Sequence, residues 1–390
     1  MTQDFDPLAP EDFDSPYADY ERLRRECPVA HSQAWGGFWA YMKHADVVNA
    51  ASDSELYITS KQNVVPKVAF TGRRPPLHLD PPEHTPYRRA LSPLLSPARV
   101  ARFEPLIREI CAELLAGMAA RGGGDICEDF SARMPIRVFN AWMNLPPAQS
   151  EALAEVGRRY NIAVQSNDEA ATRETSLRLY DMARALVTER KHNPLDPTTD
   201  AASALLAARA NGSPLPEEMI VGTIRQVLVV GIIAPTVVIG SIAVHLSRDR
   251  ALQDHLRANP ALSEAATDEF LRLYTPYRGF ARTARTDVTC QGRHIPAGEP
   301  IALVYASANR DESVFEDAAT FRLDRPNMKD SVAFGRGPHM CLGSALARLE
   351  MRVALEELLR HTPRGFELAG TVVPTRLPEI GALRVPLRFC

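Results

Sequence analysis

Neither sign of charge dominates this chain: 45 lysines and arginines stand against 48 aspartates and glutamates, a formal charge of −3. Without a basic excess there is no counterion-release drive toward a phosphate backbone, and nucleic acid is excluded as an expected partner. Cysteine is scarce too. Cys27, Cys111, Cys127, Cys290, Cys341 and Cys390 are irregularly spread and form no CxxC pair, which excludes a disulfide framework, offers no paired ligands for structural zinc, and makes a reducing, cytoplasmic setting the expected one. The acidic, proline-bearing start of the chain lacks an apolar stretch, so no secretory leader is read there. Repeats and low-complexity tracts are missing as well. Nothing therefore divides the chain, and one domain over 1–390 is expected even though the length would accommodate two or three.

What is present is an ordinary globular composition, 45% hydrophobic and 24% charged, with one long apolar run. From 227 to 244 eighteen residues pass without a charge, the threshold for a membrane-spanning helix. Gly231, Pro235, Thr236, Gly240 and Ser241 interrupt it, and a helix buried on all sides in a large core is the expected structure, not a membrane span. Ser96-Pro97 reads as an N-cap with an N1 proline. Phe103, Leu106, Ile107, Ile110, Leu114 and Met118 follow at helical spacing until Gly122-Gly123-Gly124. Helical periodicity recurs at 150–190, 215–260, 262–274 and 342–361, whereas strand signals are confined to 36–41, 288–304 and 371–389. The fold class expected is mainly α with small β-sheets.

The chemistry is concentrated in Phe334-Gly335-Arg336-Gly337-Pro338-His339-Met340-Cys341-Leu342-Gly343, just ahead of a helical stripe of Leu342, Leu346, Leu349 and Val353. A cysteine at a helix N-terminus has free backbone N–H groups and the positive dipole end beside it, so its thiolate is favoured. The glycines let backbone approach a flat partner without Cβ obstruction. A thiolate facing a flat partner points to haem iron. A single cysteine is ordinarily a small buried hydrophobe, and Cys341 with His339 lacks a second pair for zinc. The full pattern FGxGxHxCxG decides between these. Here the sequence resembles the cytochrome P450 family, of the soluble bacterial, ferredoxin-dependent type.

The resemblance implies a P450 fold and haem b (iron protoporphyrin IX) ligated by Cys341, with Phe334, His339 and Gly343 framing the cofactor. Glu269-Phe270-Leu271-Arg272 is similar to the family's ExxR motif, whose carboxylate and guanidinium share a helix face; Arg325 is implied as third partner. Ala308-Asn309-Arg310-Asp311 and Leu346-Ala347-Arg348-Leu349-Glu350 also match. By the same resemblance His84, Arg88, Arg282 and His339 are implied as partners of the haem propionates, which need basic groups in a protein interior.

One segment departs from the family. Members carry Ala/Gly-Gly-x-Asp/Glu-Thr-Thr in the helix over the haem, the acid and alcohol relaying protons, whereas this chain reads Val230-Gly231-Ile232-Ile233-Ala234-Pro235. Neither Ile233 nor Ala234 can exchange a side-chain proton; a two-residue shift bringing Thr236 to the alcohol position would lose Gly231. Pro235 removes the donor for the Gly231 carbonyl and should kink the helix, either leaving that carbonyl to bind water near the iron or merely bending the helix around the core. Gly231, Ala234 and Pro235 are thus the expected catalytic positions. Phe70, Val230, Ala234, Tyr277 and Phe280 are implied as pocket residues, with Asn161 to Val164 nearby. Arg73 and Arg278 are candidates to hold a carboxylate. The expected activity is monooxygenation with O2 of a small, largely apolar substrate. Oxidative coupling, dehydration or peroxide-driven oxidation is the alternative, and a non-catalytic haem sensor a remoter one. The chain has neither a flavin-binding GxGxxG nor an iron–sulfur cysteine cluster, so electrons are expected from a ferredoxin and its reductase, with Arg336 and Arg348 contributing positive charge to docking.

Overall fold

The apolar run lies inside one helix of 32 residues, α5 (Glu217–Arg248), in the computed structural model, which describes residues 3–9, 11–67 and 71–390. By length and composition α5 could cross a membrane, but 71% of its apolar window is buried inside the protein. A helix apolar on every side must be surrounded by protein or lipid, and here other helices and strands surround it. Val237, Ala243, Val244 and Leu246 are fully enclosed.

Beyond a first layer lie α1 (Thr85–Leu91), which packs on Ala201–Ala207, and α2 (Glu104–Ala120), which packs on α7 (Ser344–His361); directly against α5 are α3 (Pro147–Gln165), α4 (Glu169–His192), α6 (Ser263–Leu273) and α7. Two expected helical stretches are each divided, at aspartates. Asp168 accepts a hydrogen bond from Ala171 N–H at 2.9 Å and starts α4; Asp249 accepts from Leu252 N–H at 2.9 Å and starts Arg250–Ala258. Both are N-caps by the usual chemistry. Ser96, by contrast, makes no side-chain cap. Its hydroxyl donates back to the Pro93 carbonyl, and a short turn and a 3-10 segment precede α2.

The strands are β1 (Val29–Ser32), β2 (Phe38–Tyr41), β3 (Tyr57–Ile58), β4 (Phe280–Ala284) and β5 (Pro300–Leu303), joined as a five-stranded sheet in the order β1-β2-β5-β4-β3. Trp39 pairs with Ile301 in the sheet's parallel contact, and Ile301 with Arg282 in the adjoining antiparallel one. This sheet carries Arg282 inward. Gly123–Asp125, Phe366–Leu368 and Pro386–Phe389 form a separate three-stranded sheet. Pro235 does not break α5: the helix runs continuously through it, so the missing N–H frees the Gly231 carbonyl without ending the element.

Candidate functional site

Cys341 sits three residues ahead of α7 in a loop built on left-handed glycines. Gly335 and Gly337 have φ of 71° and 68°, and a Cβ at Gly337 would lie 2.5 Å from the Ala51 carbonyl oxygen. The Cys341 N–H closes the loop on the Phe334 carbonyl at 2.8 Å. Cys341 retains accessible surface, and space beside Gly343 is open for 4 Å. The helix end does not win the contest over acidity. Burial pushes the Cys341 thiol up, and the Gly343 N–H, Arg88 and Arg348 offset this only in part; desolvation of the anion outweighs the dipole, contrary to the sequence-based expectation.

Beside the thiol three of the four expected propionate partners meet. Arg88 donates to the Met340 carbonyl at 2.7 Å, the His84 ring lies 3.1 Å from the Pro338 carbonyl, and the His84 and His339 rings are 5.0 Å apart. Arg282, on β4, is buried and close enough to depress His339. Burial, then Arg282 and His84, take His339 down to about 3, and burial also lowers His84. Both rings are thus biased toward the neutral form, and the permanent positive charge resides on the arginines. Among the described residues neither Arg88 nor Arg282 pairs with a carboxylate: Arg88 donates to the Met340 carbonyl, and Arg282 to the Ala281 carbonyl and the Tyr305 hydroxyl. Inward-facing cations without acid partners, next to an accessible thiol on a glycine loop, are a donor set that fits a flat metal complex bearing carboxylates.

Glu269, Arg272 and Arg325 form one buried cluster. Arg272 donates twice to the Glu269 carboxylate, at 2.7 and 2.8 Å, and Arg325 donates to it at 3.0 Å. Arg272 also donates to the Asn309 carbonyl at 2.7 Å, and the Asn309 amide oxygen accepts from Val332 N–H at 2.7 Å. The ion cluster is thereby wired to the root of the cysteine loop.

Across the middle of α5 the side expected to face the substrate is exposed rather than enclosed. Val230 is 47% exposed in an otherwise enclosed helix, and Gly231 and Ala234 are half-buried. Ile233 and Thr236 point into the protein. The Thr236 hydroxyl donates to the Ser131 carbonyl at 2.9 Å, so it is not turned to the exposed side. A methyl at Gly231 would lie 2.8 Å from the Phe139 ring, which fixes glycine there. Tyr277 and Phe280 pack with ring planes inclined at 48° and ring centres 4.4 Å apart. Phe70 lies outside the described residues. Of the candidate carboxylate binders, Arg278 is committed to Glu11 and the Glu379 carbonyl, and Arg73 is exposed. Arg278 is buried but already paired and Arg73 is turned outward; among the described residues, the buried arginines here without a carboxylate are Arg74, next to Arg73, and, on α5, Arg225. A cation breaking the apolar series Ile220, Val221, Ile224, Leu228 was the legible signal for Arg225. Near the cysteine, Arg348 is paired with Asp268 at 2.7 Å and lies over the Phe334 ring, while Arg336 donates to the Lys329 carbonyl.

A buried acid was also missed. Glu379 accepts from the Gln165 amide at 2.6 Å, and burial, only partly offset by Arg278 and Gln165, raises its carboxyl to about 7. The folded chain thus keeps a proton that the unfolded chain releases above pH 4.5, so this group's contribution to stability falls as pH rises from about 4.5 to about 7. Glu379→Gln, an isostere of the neutral acid, is expected to remove that fall. Melting temperatures of both proteins across the window test it; parallel curves would refute it.

The cytochrome P450 sequence profile matches residues 166–367. Linalool 8-monooxygenase of Pseudomonas putida is 32% identical, aligning over 91% of this chain and 90% of its own length. Steroid C26-monooxygenase of Mycolicibacterium smegmatis is 30% identical over 88% and 84%. A solved cytochrome P450 from Chondromyces apiculatus superposes with a TM-score of 0.87, covering 100% of this chain and 98% of that one at 27% identity.

Proposed function

The chain belongs to the cytochrome P450 family of oxidoreductases, whose members bind haem iron and act on small molecules with O2, and on that premise we propose that it inserts one oxygen atom into a small, largely apolar substrate. The observation that carries this reading is the accessible Cys341 thiol beside arginines without acid partners. The cofactor is haem b, which supplies the redox-active iron when bound. Cys341 is its metal ligand, as thiolate. Arg88 and Arg282 neutralise its two carboxylates, with His84 and His339 as neutral hydrogen-bonding partners; Phe334, Gly337 and Gly343 shape the seat. One haem domain spans 1–390. Electrons come from a ferredoxin and its reductase, docking near Arg336 and Arg348, and the protein works in the cytoplasm. Relatives named for linalool and steroid oxidation support an apolar substrate, bounded by Val230, Ala234, Tyr277 and Phe280.

Protons reach the site by a route other than side chains. On the side of α5 expected to face the substrate Ala234 replaces an alcohol, while Pro235 leaves the Gly231 carbonyl without its helical donor. That carbonyl orders a water, which carries protons inward. Pro235→Ala restores the N–H and removes the water's anchor. It is expected to lower product formed per NAD(P)H consumed severalfold while stabilising the helix; unchanged coupling would sink the water route.

The same replacements at Ile233 and Ala234 favour a second reading, oxidation by coupling or dehydration in which oxygen does not enter the product. Isotopically labelled O2 separates the two: label in the product supports monooxygenation, its absence the alternative. The family-level test is the carbon monoxide difference spectrum of the reduced, folded protein with ferredoxin-driven turnover. A thiolate-type band without turnover toward any substrate would instead indicate a haem sensor.

A further inference from the structure

Buried arginines in this protein come in two kinds. Arg24, Arg190, Arg272, Arg278 and Arg325 each pair with a carboxylate. Arg74, Arg225 and Arg282 are buried and, among the described residues, have none. Arg282 belongs to the cofactor seat proposed above. Arg74 and Arg225 remain, and a buried cation without a counter-charge is costly enough to demand an explanation.

Arg225 is fully buried. Its guanidinium lies 5.0 Å from the Tyr160 ring centre and 5.8 Å from that of Tyr180, and it donates to the Ser176 hydroxyl at 2.8 Å. These partners are neutral, and the Nε of Arg225 and the Nε of Arg74 both lack a hydrogen-bond partner. The two cations also act on one phenol. Burial raises the Tyr160 pKa, but Arg225 and Arg74 outweigh it and hold it below its ordinary value, the signature of a positive site. Burial and then Arg225 likewise lower Arg74 itself.

Arg225 lies on the same helix as the positions expected to face the substrate. Arg225 stands five residues before Val230 on α5, about 7.5 Å along the axis at the helical rise. The Tyr277 phenol, raised by burial and then by the fields of Glu379, Cys341 and Tyr160, stands within electrostatic range of both the thiol and the phenol on which the two arginines act. We propose that Arg74 and Arg225 bind the carboxylate of an otherwise apolar acid, anchoring it beside Tyr160 while its hydrocarbon passes Val230 toward Cys341. The substrate class is then an organic anion, oxidised at a carbon remote from its acid group. Guanidinium suits this role because its fork matches a carboxylate with two parallel hydrogen bonds. The inference rests on the oxidation reading for what happens after binding, but not for binding itself.

Calorimetric titration of the purified holoprotein with dodecanoate and with methyl dodecanoate tests it. Wild type is expected to prefer the acid by about tenfold or more, and Arg225→Met and Arg74→Met each to weaken acid binding by about tenfold or more while changing ester binding less than about threefold. Without ligand, Arg225→Met is expected to melt no lower than wild type, since an uncompensated charge has been removed. Equal affinity for acid and ester, or an acid preference that survives both substitutions, overturns the proposal. Lower melting with an unchanged preference does so too, by assigning Arg225 to structure. The carbon monoxide band keeps the two readings apart: acid preference without the band refutes the oxidation reading alone, and the band without acid preference refutes the anion site alone.

Discussion

Alanine at Cys341 is expected to abolish both the thiolate-type carbon monoxide band and all substrate oxidation, while the protein still folds. The physical reason is that the loop does not depend on the sulfur for its shape. Its closing hydrogen bond is made by the Cys341 backbone N–H, and its turns are set by Gly335 and Gly337. What the thiol alone supplies is a ligand able to donate electron density to iron. Porphyrin is expected to bind the variant more weakly, still held through Arg88 and Arg282, with the spectrum of a haem lacking a sulfur ligand. Cys390→Ala is the control, an equally accessible cysteine at the far end of the chain. A carbon monoxide band of unchanged position and intensity in the Cys341 variant would remove the sulfur from the site, and with it the assignment of every neighbouring residue.

The helical architecture was legible because its signals are local: apolar periodicity, proline starts and glycine stops act within a few residues of one another. The divisions at Asp168 and Asp249 were written in the same chemistry and overlooked, since each aspartate interrupts a periodicity that resumes in nearly the same phase. β1 and β3 gave no alternation to read. β1 is buried at every position and β3 has two residues, so burial on both faces and shortness erased the pattern. In the site, the cysteine loop and the ExxR cluster were legible because their residues are tied to fixed sequence spacings. Arg225 left a signal, a cation inside an apolar series, that went unread, whereas Arg74 and Glu379 left none, since a long side chain's direction is decided by tertiary packing. Arg73 and Arg74 are adjacent and chemically identical, and only the fold decides which one is buried. The acidity of Cys341 illustrates the same limit. The helix dipole is visible in sequence, whereas the desolvation that opposes it depends on the surrounding fold.

Glu269→Gln is the substitution expected to cost most in stability, about 3–5 kcal/mol, because it leaves Arg272 and Arg325 buried with their shared counter-charge gone. The carboxylate has no substitute nearby. Apart from Glu269, the hydrogen-bond acceptors of these two guanidinium groups are backbone carbonyls, among them those of Asn309, Ala318, Thr320 and Glu316, which satisfy donors but cannot neutralise charge. The effect is expected to reach the cofactor as well. Arg272 holds the Asn309 carbonyl, and the Asn309 side chain fixes Val332 at the base of the cysteine loop. Disturbing the cluster therefore loosens the loop that presents Cys341. Asn309→Ala cuts the second link while leaving the ion cluster intact, and it is expected to speed haem loss to apomyoglobin at a smaller cost in denaturant stability, of about 1–3 kcal/mol for the unsatisfied Val332 N–H. Two measurements on each variant decide the matter, the unfolding midpoint and the rate of haem transfer. Should Glu269→Gln lower the midpoint while neither variant alters the transfer rate, the cluster would be a stabilising element alone, with no hold on the cysteine loop.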